Sequence, residues 1–499
     1  MSITAYGSGA LAARHAETSF RSLKTSLADL QAQLTTGQKA SSHAELGASA
    51  IKSLSGRATL ATLEAYATNV SDATFRVKLM ATGIEQIARI GSSLTVSLPT
   101  SLNAPPIGQT SAIASAEDGL KQVIDILNSD IAGRALFGGR DASGEPVEGY
   151  DLILNGDAGR AGLRQMIAER KEADLGADGL GRLVIQNTAS GIRIQEEAAG
   201  LPFGMKIAAA SASGSGLAAS SSAGPPPIAD FAATAQPEPG GTIALTLSLP
   251  DGSTTTVTLK ALTQPSTDGS PGFVIGATLA DTQANLRAAL RDAVATTAST
   301  SLASASSLAA STAFFAGSPS HPPMRIAGPP YATATAIVAG TASDTVIWYK
   351  GDDGAGSARE TAPVRTGDGT SVAIGARADE PAFRKVLAAL GALAANAFPE
   401  GDATATARYA ALAERVSGSL ADDAGIRGIA TDFAIASKDL ASATDRLGAA
   451  KAQVRDMLSG IEDADPNEVA MALLATQTRL QASYQVTSAL SRLSLVEFI

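Results

Sequence analysis

Cysteine is absent from this chain, and aromatic residues are scarce. The 499 residues include no cysteine, one tryptophan and 4% aromatic residues in all. Without cysteine, disulfides, zinc–thiolate sites and thiol nucleophiles are excluded. Large rings normally dominate core burial, yet 45% of this chain is hydrophobic, so much of its apolar content is alanine and leucine. This composition favours slender helical packing over a wide globular core.

Charge and long apolar runs are also limited. Charged residues make up 17% of the chain, below the usual quarter, and the net charge is −10. Lysine and arginine are scattered among the acids, which argues against a nucleic-acid partner. No apolar run reaches the ~18–20 residues that a transmembrane helix needs, so we expect no membrane insertion. The opening "MSITAYGSG" lacks the basic and apolar segments of a signal peptide, so we expect any export to need a dedicated machine.

Residues that could carry catalysis or bind metal are few. The three histidines, His15, His43 and His321, lie far apart and do not suggest a triad or a metal cage. Neither a nucleophile elbow nor a phosphate-binding loop occurs. The glycines of 176–183 precede a predicted strand and indicate a turn, and two clusters of acidic residues lack calcium-loop spacing. We therefore predict a protein that is not an enzyme, with no catalytic residue, cofactor or metal.

Helical periodicity dominates the N-terminal part of the chain. Residues 8–35 carry apolar side chains three and four positions apart, the spacing of a coiled-coil seam. Further helices are predicted over 56–96, which "SLPTSLNAPP" stops with its prolines, and over 111–134. The first seam consists of Ala13, Ala16, Phe20, Leu23, Leu27, Leu30 and Leu34.

Helical periodicity returns at Pro381 and persists to the end. Over 423–461, apolar residues recur every seven positions, which is specific for a long packed helix. That series is Ile426, Phe433, Leu440, Leu447, Val454 and Ile461. A cap made of Asp465, Pro466 and Glu468 predicts the start of a last helix, which runs to about position 494. Its apolar face is marked by Val469, Leu473, Leu480, Tyr484 and Leu490.

The segment from about 200 to 375 differs in composition. Alanine, serine, threonine, glycine and proline dominate it, and parts of it are typical of linkers. Alternating apolar residues over 243–249, the turn "PDGS" and a return strand through Val257 and Leu259 predict a β-hairpin. The stretches "DTVIWYKGDDG" and "TSVAIGARA" predict a second strand pair.

Together these patterns predict a mainly α protein with an α+β insert. Long N- and C-terminal helices would pack as a coiled coil or helical bundle, because each seam must bury its apolar face. A strand-containing, variable middle domain would lie between them. We expect three parts: terminal helices at 1–45 with 462–499, a helical rod with small β elements at 46–200 with 376–461, and an inserted domain at 201–375.

Three segments resemble the bacterial flagellin family. "LQAQLTTGQKASSHAELGA" (30–48) is similar to the family's N-terminal segment, where a helix ends in a glycine turn. "ALFGGRDASGEPV" (135–147) resembles a segment of hook-associated protein 3, the hook–filament junction protein of that family. "QTRLQASYQVTSALSRLSLVEFI" (477–499) looks like the family's C-terminal helix. The resemblance covers roughly 1–185 and 380–499.

The resemblance implies a structural subunit of the bacterial flagellum that assembles with copies of itself. In this family the terminal helices form the inner core of the tube, so the apolar C-terminus is buried between subunits, and the middle domain faces outward. Hook-associated protein, flagellin and an export chaperone become expected partners, and type III export without a cleaved signal peptide leads to an extracellular location. The expected assembly interface comprises Phe20, Leu23, Leu27, Leu30, Leu34, Leu473, Leu480, Tyr484, Leu490, Leu493, Leu495 and Phe498.

Several alternatives stay open. Within the family, the start of the chain and residues 135–147 favour the junction protein, and a flagellin proper, forming the filament, is the alternative. A soluble coiled-coil signalling protein of the chemoreceptor type is more remote, because it does not need a strand-bearing insert. A secreted hydrolase or adhesin would act through the middle domain, where Trp348 and Tyr349 could bind a glycan, although we expect both to pack in the core.

Overall fold

The computed structural model describes residues 6–101, 106–266 and 269–496. About 55% of the chain is helical, which confirms the mainly α class and the long helices at both ends. Eleven α-helices occur among the described residues. They are α1 (Tyr6–Thr36), α2 (Ala50–Ser101), α3 (Pro106–Leu127), α4 (Tyr150–Asn155), α5 (Leu163–Leu175), α6 (Leu279–Thr297), α7 (Ala303–Phe315), α8 (Pro381–Ala394), α9 (Ala405–Ala421), α10 (Ala424–Glu462) and α11 (Pro466–Val496).

Short strands within the described ranges form several small sheets. They are β1 (Asp130–Ile131), β2 (Arg134–Ala135), β3 (Leu183–Asn187), β4 (Gly191–Glu196), β5 (Lys206–Ser213), β6 (Leu217–Ser222), β7 (Ile228–Ala233), β8 (Thr242–Ser248), β9 (Thr254–Leu262), β10 (Gly272–Val274), β11 (Met324–Ile326), β12 (Ile337–Ala339), β13 (Pro363–Gly367) and β14 (Thr370–Ala373). One four-stranded sheet has the order β3-β4-β7-β6 and another the order β10-β9-β8-β5. The strand-containing middle predicted from the sequence is therefore present.

The predicted N-terminal helices are present, with errors at their ends. Helix α1 matches the first prediction to within two residues, whereas α2 continues past Pro99, which we expected to stop it. Proline has no N–H to bond the carbonyl four residues earlier, and that carbonyl, of Thr95, accepts a hydrogen bond from Ser417 Oγ at 3.4 Å. Helix α3 ends seven residues early, because a tight turn with positive φ at Ala132 and Gly133 joins β1 to β2.

The C-terminal helices confirm the predictions closely. Helix α8 begins at Pro381 and α11 at Pro466, as expected. The Oδ1 atom of Asp465 accepts from the backbone N–H groups of Asn467 at 2.8 Å and Glu468 at 3.4 Å, so it caps α11. The seven-residue series along α10 is buried at its first four positions and half-buried at the last two. Side-by-side packing as a coiled coil stays a prediction.

The chain divides into two compact units. Unit 1 consists of Met1–Ala73, Arg365–Ser371 and Asp439–Ile499, and it contains the terminal helices. Unit 2 consists of Thr74–Val364 and Val372–Lys438. The three-part division expected from the sequence stays a prediction.

Within unit 2, the two four-stranded sheets share one apolar core with α6. Phe231 of β7, Leu245 of β8 and Leu290 of α6 are among its fully buried side chains. Strands β8 and β9 pair antiparallel with Leu245 opposite Val257, which confirms the predicted hairpin. Its turn places Gly252 at φ 82°, a conformation that glycine adopts without steric cost.

The second predicted strand pair is wrong. Strand β14, inside "TSVAIGARA", pairs instead with β13, and Gly369 at φ 70° turns the chain between them. The stretch "DTVIWYKGDDG" is irregular, and its Trp348 and Tyr349 are fully buried. Trp348 packs edge-on against Phe315 with ring centres 5.3 Å apart. The core role expected for the two rings is confirmed, and their burial leaves neither exposed to bind a glycan.

Candidate assembly surface on the terminal helices

Helices α1 and α11 of unit 1 pack against each other. The ring of Phe20 meets that of Tyr484 edge to face, with centres 5.0 Å apart and planes 77° apart. At the other end of the pair, the N–H of Ala464, just before α11, donates to the carbonyl of Gly37, just after α1, at 2.9 Å. Since 20 lies beside 484 and 37 beside 464, the two helices run antiparallel.

Backbone hydrogen bonds tie the end of α1 to the turn between α10 and α11. Gly37 stands at φ 70°, the left-handed conformation that commonly ends a helix. Lys39 then donates through its backbone N–H to the carbonyl of Glu462 at 2.7 Å and through Nζ to that of Gly460 at 2.6 Å. These bonds join residues more than 400 positions apart. They therefore fix the register of the N-terminal helix against the C-terminal helices.

An ion pair beside the turn between α10 and α11, which we call the corner, links α2 to α10. The carboxylate of Glu462 accepts from Arg57 Nε at 2.9 Å and Nη2 at 2.7 Å, and also from the hydroxyl of the buried Ser53. Such a two-pronged arginine–carboxylate contact is stronger than a neutral hydrogen bond. The hydrogen bonds from Arg57, and then that from Ser53, lower the pKa of Glu462 from 4.5 to about 2.

Arg57→Gln should make the stability of unit 1 less sensitive to acid. Because the pKa of Glu462 is lower in the folded than in the unfolded chain, the pair stabilises the fold above a pH of about 4.5, and this contribution is lost as the pH falls to about 2. The difference in thermal midpoint between the natural chain and Arg57→Gln should be largest at neutral pH and close to zero near pH 2. Circular dichroism melts over that range measure it.

Arg455→Gln provides the matched control for that comparison. Arg455 pairs with Glu64 in the same unit, but both side chains are largely exposed, and exposed pairs contribute little. Its removal should change the midpoint less at every pH. A midpoint difference for Arg57→Gln that is unchanged from neutral pH to pH 2 would show that the Glu462 pair is not its source.

The described predicted interface residues lie on the two paired helices. Leu23, Leu27 and Leu30 of α1 are half-buried, as are Phe20 of the same helix and the leucines Leu473 and Leu480 of α11. Leu34 and Tyr484 remain about half exposed. The side chains of Leu490, Leu493 and Leu495, and the whole of Phe498, lie outside the described residues. Pairing of α1 with α11 therefore covers these apolar faces only in part.

Further apolar side chains on unit 1 were not among those predicted. On α11, Met471 is 67% and Leu474 63% exposed. At the start of α2, Ile51 is 77% and Leu54 54% exposed, and their spacing of three places them on one helix face. The sequence signal for Ile51 and Leu54 is that two apolar residues three positions apart follow the turn at Gly47. They lie outside the predicted seam. Unit 1 therefore exposes apolar side chains beyond the half-covered seams, and apolar area left uncovered on a subunit is typical of protein interfaces.

Nothing in the described ranges points to chemistry on this surface. No group of three or more potential metal ligands occurs among the described residues. None of the helices described has the length and apolar character needed to cross a membrane. The arrangement can offer apolar contact area and a hydrogen-bonded corner.

Comparison with known protein families gives a match over the C-terminal part of the chain. No curated protein matches the chain. Residues 425–499 match the family model described as the bacterial flagellin C-terminal helical region. The match spans nearly all of α10, the corner and α11, and it includes the segment 477–499 that resembled flagellins, whereas 30–48 and 135–147 lie outside it. The C-terminal helices of this chain are thus similar to those of bacterial flagellins, and the match supports the flagellin family and a flagellar structural subunit.

Proposed function

We propose that this chain is a structural subunit of the bacterial flagellum that assembles with copies of itself through α1 and α11. The observation that carries the proposal is the flagellin C-terminal match over 425–499. Flagellins are structural proteins without enzymatic activity, and we extend that description to this chain. The subunit would act outside the cell after type III export without a cleaved signal peptide, with a chaperone holding the apolar C-terminal helix before export.

The geometry of unit 1 supports assembly as the role of the terminal helices. An antiparallel helix pair buries one face of each helix, and the other faces remain open to neighbours. Here those faces carry Met471 and Leu474, while Tyr484, on the paired face, also remains about half exposed. Contacts between different surfaces of identical copies generate an open helical filament. The terminal helices at 1–45 and 462–499 would line its inner core, and the inserted domain at 201–375 would face outward.

We place the subunit at the hook–filament junction, with the filament itself as the alternative. The support is the segment 135–147, which resembles hook-associated protein 3. In unit 2, residues 135–138, 146 and 147 of this segment are buried, whereas 140, 141 and 143–145 are exposed. Phe137 packs edge-on against Phe383 at 5.9 Å, and a side chain at Gly138 would come within 2.0 Å of the carbonyl oxygen of Asp141. Hook-associated protein and flagellin would be its neighbours in the tube.

Immunogold electron microscopy of motile cells, with antibody against residues 205–375, tests the proposal. A single labelled band where the hook meets the filament is expected for the junction protein. Label along the whole filament would instead make the chain a flagellin whose middle domain faces solvent. Cells that carry flagella but show no label on them would overturn the flagellar assignment and favour the coiled-coil signalling protein.

A further inference from the structure

Unit 2 contains a cleft of about 820 Å³ between the turn of the β8–β9 hairpin and helices α7, α8 and α9. This volume lies in the range of small-molecule binding sites. Four cationic side chains line it, Arg170, Arg384, Lys385 and Arg415, against the single carboxylate of Asp251. Such a concentration of positive charge is unexpected in a chain with a net charge of −10. The four cationic residues are spread over 246 residues of sequence, so the fold has brought them together.

Arg415 of α9 is held at the cleft wall by fixed partners. Its Nε donates to Asp251 Oδ2 at 3.0 Å and its Nη1 to the carbonyl of Ala411 at 2.8 Å. Asp251 in turn accepts from the backbone N–H of Ser253 at 3.0 Å. A guanidinium has five N–H donors, and these bonds occupy two of them. The guanidinium of Arg415 is therefore already oriented, and its remaining N–H groups can donate to a ligand.

Arg170 of α5 is fixed in a similar way. Its Nε donates to the fully buried carboxylate of Asp174 at 2.7 Å, and its guanidinium lies 5.4 Å from the ring centre of Phe203. The other carboxylate oxygen of Asp174 accepts from the N–H of Gly204 at 2.8 Å. Stacking and pairing restrict the side chain, so little conformational entropy remains to be lost on binding an anion.

Arg384 and Lys385 stand in the second turn of α8 and carry weaker partners. Arg384 makes a 3.5 Å hydrogen bond to the carbonyl of Ala316, and within the described ranges it forms no ion pair with a carboxylate. Lys385 pairs with Asp422 at 2.8 Å, but the Asp422 side chain is 71% exposed, so solvent weakens the pair. These two cations are the ones most available to a ligand.

Part of the cleft lining is apolar. Leu308, Ala309 and Ala313 of α7 line the cleft and leave contact area for the carbon skeleton of a ligand. We propose that the cleft binds a small organic anion that carries at least two phosphate or carboxylate groups. Arginine recognises either group through paired N–H donors. The proposal rests on unit 2 alone and does not depend on the flagellar role or on assembly.

Isothermal titration of the purified full chain tests this site. Fructose 1,6-bisphosphate supplies two phosphates on an organic body, citrate supplies carboxylates, and fructose is the neutral control. We expect saturable one-to-one binding of at least one of the two anions, weakening as salt is added, and none of fructose. Arg384→Gln should weaken that binding about tenfold or more, since it removes a charged donor.

Arg427→Gln is the matched control, because Arg427 lies on α10, outside the cleft, and its side chain is 72% exposed. It should leave the affinity unchanged. Lys385→Gln replaces Arg384→Gln if the latter does not fold. Binding of the bisphosphate alone assigns a phosphate ligand, and of citrate alone a carboxylate ligand. Absence of binding for both anions, or equal affinities in the cleft variant and Arg427→Gln, would overturn the proposal.

Discussion

Leu480→Asp should stop the purified chain from polymerising while leaving unit 2 folded. Leu480 lies half-buried on α11, one helical turn before Tyr484, which contacts Phe20 of α1. Residues four apart share a helix face, so position 480 belongs to the partly covered seam. A carboxylate there would have to lose its hydration on entering a contact between subunits, and an unpaired buried charge is strongly unfavourable.

Assembly is followed by sedimentation and negative-stain electron microscopy, and folding by circular dichroism. Val338→Asp is the matched control: Val338 is an aliphatic residue of unit 2, in β12, and 44% exposed. It receives the same charge away from the terminal helices and should polymerise as the natural chain does. Filaments of normal length and number from Leu480→Asp would remove the terminal helices from the assembly interface.

Trp348→Ala should have the opposite profile, a large loss of stability in unit 2 with the assembly surface unaltered. Trp348 is fully buried, packs against Phe315 and lies 5.6 Å from the Tyr349 ring centre to centre. Truncating a large buried ring to alanine leaves a cavity and costs about 3–5 kcal/mol. Guanidinium unfolding followed by circular dichroism measures the change, since the only tryptophan fluorophore is lost.

Trp348→Phe keeps an aromatic ring at this position and so tests how much of the loss comes from the cavity that alanine leaves. The indole Nε1 has no hydrogen-bond partner among the described residues, so replacement by phenylalanine breaks no hydrogen bond. It also removes less side-chain volume than replacement by alanine. It should cost clearly less than alanine. A loss below about 1 kcal/mol for Trp348→Ala would contradict the tight packing on which the prediction depends. Equal losses for both variants would mean that the six-membered ring of phenylalanine does not fill the site.

The helices were predictable because their signals are local. The seven-residue series of α10, the cap at Asp465 and the spacing along α1 each lie within one element, where the helical period alone decides which residues share a face. The β8–β9 hairpin was predictable for the same reason. The segment with Trp348 was not, since a short apolar run fits a strand and a buried loop equally well. The β13–β14 turn, by contrast, carries the local hairpin signal Asp-Gly at Asp368 and Gly369, so that pairing is predictable from the sequence.

The sequence by itself determined that this protein has long amphipathic helices at both ends, a strand-bearing middle, no cysteine chemistry and a flagellin-like C-terminus. Only the tertiary structure decided that α1 and α11 run antiparallel, that Arg57 meets Glu462, and that three arginines from α5, α8 and α9 line one cleft. Helical periods state which face of a segment is apolar. They do not state which distant segment covers it, because that choice depends on packing and hydrogen bonds between residues hundreds of positions apart.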